Sequence, residues 1–152
     1  MKTSFFQRNT IRGLVAGLLF AMLPMQFSSA SVAGARYTAA ALFVGLKRQG
    51  WECRDTFSQG LLRRGGSVVI ATTLYAGNTY ALAASGCEDA YDVDLAVYDE
   101  RGNFIASDSD NSALAVARIT PRWTGTYYLK VTMFNSTYNG AHYVMQYAYR
   151  GL

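Results

Sequence analysis

The chain has 152 residues, 14 basic and 10 acidic, with 51% hydrophobic residues and a formal charge of +4. That length suits one domain with a modest core, and this apolar content excludes a disordered chain. A single histidine and two cysteines leave little material for a histidine-based catalytic or zinc centre.

The N-terminus predicts export. Lys2, Arg8 and Arg12 precede an apolar run from Gly13 to Met25, and small residues then favour a cut after Ala30 or Ala35. The run is short for a membrane span, so no transmembrane segment is expected after signal removal. The two arginines are not adjacent and no cysteine stands at the cleavage region, which argues against twin-arginine export and lipid anchoring. The expected organisation is a signal peptide over 1–35, a helical segment over 36–52 and a β-domain over 53–152.

A cut after Ala35 leaves 117 residues and a charge of +1, because three basic residues and no acids depart. The basic balance of the whole chain is therefore largely an export signal, and no nucleic-acid partner is expected. Residues 36–87 carry six basic and two acidic residues, whereas 88–152 carry five and eight. Periplasmic or extracellular location makes a Cys53–Cys87 disulfide the default expectation.

After Arg36, the residues Ala39, Leu42, Phe43 and Leu46 form one apolar helical stripe, with Lys47 and Arg48 at its C-terminal end and Gly50 beyond. Strand patterns follow. SVVIATTL (67–74) lies between turns at 63–66 and 76–78, and TYALAAS (79–85) comes next. In YDVDLAVYDERGNFIASDSD (91–110), Val93, Leu95 and Val97 share one face of a strand. Asp99–Gly102 reads as a tight turn, and Phe104 opens the returning strand. LAVARIT, TYYLKVTMF and HYVMQYAY complete seven or eight strands, placing Tyr127, Leu129, Val131 and Met133 on one face and Tyr143, Met145, Tyr147 and Tyr149 on another. The fold class is all-β: an antiparallel, jelly-roll-like sandwich with a short N-terminal helix.

The run DVDLAVYDERGN, then GTYYLKV, then the Tyr-rich closing strand resembles the bacterial pre-peptidase C-terminal family, over about residues 66–149. The resemblance implies a jelly-roll-like sandwich and a non-catalytic accessory role beside secreted proteases. Some related collagen-binding modules bind calcium. No protease domain accompanies this chain, so an accessory role to a protease does not transfer.

Three functional expectations follow. Asp92, Asp94, Asp108 and Asp110, with Glu88 or Asp89 nearby, are candidate calcium ligands, because calcium takes six to eight oxygens; the alternative is that they solvate and cap the hairpin. Trp123, Tyr128 and Tyr138, among 11 tyrosines and two tryptophans, are candidate contacts for a protein or cell-envelope partner. No nucleophile motif, glycine-rich nucleotide loop or placed carboxylate pair supports an enzyme. The leading expectation is a non-catalytic binding or accessory module. A calcium-stabilised carbohydrate- or matrix-binding module is the second, and a small hydrolase a distant third.

Overall fold

A computed structural model describes residues 31–152. The export-signal reading falls almost wholly on residues 1–30, outside that range.

Helix α1 (Val32–Arg48) is capped by Ser31, whose hydroxyl accepts the Gly34 N–H at 3.1 Å. It starts four residues before the expected boundary at Arg36, and Ala35 is fully buried. A cut after Ala35 would remove both the cap and the first turn. Eight strands follow: β1 (Glu52–Leu62), β2 (Ser67–Leu74), β3 (Asn78–Gly86), β4 (Ala90–Tyr98), β5 (Phe104–Asp108), β6 (Leu114–Ile119), β7 (Gly125–Ser136) and β8 (Ala141–Gly151).

The strands form two four-stranded antiparallel sheets, ordered β1-β8-β3-β6 and β2-β7-β4-β5. Each strand of the first half pairs with its counterpart counted from the C-terminus: β1 with β8, β2 with β7, β3 with β6 and β4 with β5. This nested pairing is the jelly-roll arrangement. Among the described residues only β4–β5 is a hairpin of consecutive strands; the other short turns carry the chain from one sheet to the other.

Alternation along each strand fills the space between the sheets. Val93, Leu95 and Val97 of β4 lie beside Tyr127, Leu129, Val131 and Met133 of β7 on one inner face, with Leu82 of β3 and Met145 of β8 on the opposite layer. The outer face of the first sheet is buried as well. There Ala81 and Ala148 form a floor of small residues for the stripe of α1, with Leu46 and Trp51 pressed against it and Leu42 and Phe43 at its margin. This covering explains why every residue from Tyr80 to Gly86 is buried. The seam is not wholly apolar, since Ser85 Oγ, His142 Nδ1 and Gln146 Oε1 are buried without hydrogen-bond partners. The outer face of the second sheet has no such cover among the described residues.

The expected disulfide is corrected by this register. Cys53 pairs with Ala148, which pairs in turn with Ala81, so Cys87 lies six positions further along β3 and its extension. That offset is about 20 Å along the strand, in addition to two strand spacings of about 4.8 Å. A disulfide needs Cα atoms within about 7 Å. Both cysteines are free, Cys53 exposed and Cys87 buried. The export expectation therefore rests on the N-terminal segment alone.

Candidate functional site

The 12-residue strand β7 separates two of the expected contact residues. Trp123 precedes its first residue and Tyr138 follows its last, so they stand at opposite ends of the sandwich, about 36 Å apart along the strand. They do not share one surface. Tyr138 is almost fully exposed in the β7–β8 turn, beside Arg63, Arg64 and Asn139. Tyr128 lies on the outer face of the second sheet, opposite Tyr98, which in turn packs edge-to-face on Phe104 at 6.0 Å.

The end bearing Trp123 holds a cleft of about 400 Å³, walled by Phe104 and Ile105 from the start of β5, Pro121, Arg122 and Trp123 from the β6–β7 turn, and Tyr127 behind them. Trp123 stacks on Tyr127, with ring centroids 6.3 Å apart and an interplanar angle of 28°. The Tyr127 hydroxyl donates to the Trp123 carbonyl at 3.2 Å, which ties the turn to the strand it precedes. Gly125 makes room for this packing, because a Cβ there would come within 3.1 Å of the indole Cδ1. The indole remains 38% exposed, so one part of it packs and another faces the cleft.

The opposing wall is held by Asp99, which is 3% exposed. Its carboxylate accepts from the Arg101 N–H, the Asn103 N–H and the Asn103 side-chain amide, each at 2.8 Å. The Asn103 side-chain bond, followed by the two backbone bonds, holds the Asp99 pKa below the ordinary carboxylate value. Gly102, at φ +80°, closes the turn. Phe104 and Ile105 emerge from this fixed corner, so the cleft is preformed on both sides. Burial raises the pKa of the Tyr127 hydroxyl.

The acids of the opening of β4 and the end of β5 lie at the other end, and they divide in role. Asp108 accepts the Val116 N–H at 2.7 Å, fastening the edge of one sheet to β6 of the other. Asp92 is buried beside an irregularity in the β4–β7 register, and its Oδ1 has no partner. Burial, and after it the negative charges of Asp92, Asp108 and Asp110, raise the pKa of Asp94. Asp94 thus senses the charge of the other three. Among the described residues, however, no group of three or more His, Cys, Asp or Glu side chains converges as a metal site.

Phe104, Ile105, Pro121 and Arg122 are not visible as site residues in the sequence, because nothing in a linear pattern joins two turns some twenty residues apart. The signal that existed was the pair of adjacent apolar residues opening β5, which strict alternation leaves half exposed. No helix among the described residues is long and apolar enough to cross a membrane. Comparison with protein-family models and with curated proteins finds no match.

Proposed function

We propose that this protein is an exported, non-catalytic binding module that contacts a protein or cell-envelope partner through the aromatic end of its sandwich. The observation that carries the reading is the preformed cleft around Trp123. A large aromatic is left partly exposed there, although the stacking and the hydrogen bond behind it hold it in place. Rigid aromatic anchors beside an exposed cation, here Arg122, are the usual centres of binding energy in a contact. The distribution of reactive groups supports a non-catalytic role. The Nδ1 of His142 is buried, and the clustered acids stand at the end of the molecule away from the cleft. The likeness of residues 66–149 to the pre-peptidase C-terminal family agrees with a secreted accessory domain, and the N-terminal charge and apolar pattern supports periplasmic or extracellular delivery.

The test is co-sedimentation of the purified protein with isolated cell-envelope fractions, comparing wild type with Trp123→Ala and with Tyr138→Ala. Loss of at least about tenfold in affinity is expected for Trp123→Ala alone. Equal binding by wild type and Trp123→Ala would refute the reading.

A calcium-stabilised module is the second reading, favoured by the unpartnered Asp92 Oδ1 and by the mutual repulsion around Asp94. A cation bound to the native state alone raises the melting temperature. No rise at millimolar calcium relative to chelator would dismiss it.

A further inference from the structure

A second recess opens around the β2–β3 turn from the Trp123 cleft, and the two are joined by the bond from the Ala76 N–H to Thr124 Oγ1 at 3.0 Å. The inward-facing positions of β8 deliver Tyr147 and Tyr149, while β3 delivers Tyr80, which pairs directly with Tyr149. The three rings pack mutually at centroid distances of 5.9, 5.9 and 6.3 Å, all tilted rather than stacked. Arg54, Tyr75 and Asn78 complete the lining, enclosing about 260 Å³.

The polar groups of this recess fall into two sets. Some hold it together: Tyr80 accepts the Tyr75 N–H at 3.0 Å, Tyr149 donates to Glu52 Oε2 at 3.1 Å, and the Arg54 guanidinium lies 5.8 Å from the Tyr149 ring centre. Others are uncommitted, since the Tyr147 hydroxyl and the Asn78 amide hydrogen-bond to no other described residue. Arg54 and Glu52 offset one another in charge. The result is a small neutral recess walled by the Tyr147 and Tyr149 rings over a buried Tyr80, with an uncommitted hydroxyl and amide at its rim.

We propose that this tyrosine-lined recess is a subsite for one neutral sugar ring of a glycan. The C–H face of a pyranose packs on an aromatic ring, and its hydroxyls both donate and accept, which suits the Tyr147 hydroxyl and the Asn78 amide equally. The volume falls below the range of drug-sized pockets and admits a single ring. A proline-rich peptide would instead require an extended aromatic groove, at about 3.1 Å per residue. The inference deepens the binding-module reading but does not depend on Trp123.

The test is isothermal titration of the purified protein with tri-N-acetylchitotriose, cellotriose and maltotriose, and separately with a proline decapeptide. At least one saccharide is expected to bind with a Kd of about 1 mM or tighter. Tyr147→Phe, which removes only the hydroxyl, and Asn78→Ala should each weaken it about tenfold, more than Trp123→Ala does. Binding of none of the three saccharides overturns the proposal. So does saccharide binding that survives both recess variants, or binding of the proline peptide in their place. Saccharide binding lost only in Trp123→Ala would also overturn it, while leaving the binding-module reading intact.

Discussion

Trp51 is the anchor that fastens α1 to the sandwich, and its removal has a calculable cost. The residue is 3% exposed, lies against Leu46, Ala81 and Ala148, and has the Arg150 and Arg118 guanidiniums 4.8 and 5.6 Å from its ring. Burying about 200 Å² of aromatic surface at about 25 cal/mol per Å² is worth about 5 kcal/mol. Buried tryptophan truncations cost about 3–5 kcal/mol. The Nε1–H has no acceptor, which subtracts from the native value of the side chain. A loss of about 4 kcal/mol is therefore expected for Trp51→Ala. At about 3–5 °C per kcal/mol for a domain of this size, melting falls by about 12–20 °C. Thermal unfolding followed by far-ultraviolet circular dichroism reads this directly, with Trp51→Phe as a milder control. A fall of less than about 3 °C would show that α1 is not held through this residue.

Three further outcomes follow from the same geometry. A thiol reagent should titrate Cys53 in the native protein and Cys87 only after unfolding, and reductant should leave the melting temperature unchanged; a reductant-sensitive transition would refute the assigned register. Asp94→Asn should raise the melting temperature at neutral pH. The native state binds this proton more tightly than the unfolded chain, so wild-type stability falls as pH rises from the unfolded carboxylate value to the raised native one. The difference should vanish in acid, and a destabilised Asn variant in chelator would contradict the argument. Asp99 has the opposite sign: its contribution is complete above the unfolded carboxylate value and is lost as pH falls through its lowered native value. Asp99→Ala should therefore destabilise at neutral pH and converge with wild type in acid, as measured by denaturant midpoints across pH.

Much of the sandwich is legible because its strands obey a period of two. The inward sets on β4 and β7 are the alternating residues, and the 99–102 turn is fixed by an aspartate and a glycine acting within four residues. What local pattern does not carry is which sheet a strand joins. The segments at 63–66 and 76–78 read as turns, and nothing local shows that each crosses between sheets. β1 was obscure for a related reason: as an edge strand with a shift in register near Phe57, it lacks clean alternation. The disulfide expectation failed because compartment and cysteine count say nothing about strand offset. In the site, Trp123 is visible as an odd aromatic in a turn. The tyrosine recess is not, because Tyr80 and Tyr149 are 69 residues apart and meet only through the β3–β8 ladder.

The pairing of β1 with β8 has a kinetic meaning. Glu52 and Tyr149 bond across 97 positions, and β8 is also the strand that joins β1 to β3. The first sheet therefore has no interior until the last residues of the chain arrive, and α1 has no complete floor to settle on. High contact order of this kind makes folding slow. Synthesis or translocation that stalls before residue 141 would leave β1 with no partner and β3 paired on one side only. For a polypeptide delivered across a membrane from its N-terminus, the same topology postpones closure until passage is finished, keeping the chain threadable while it is in transit.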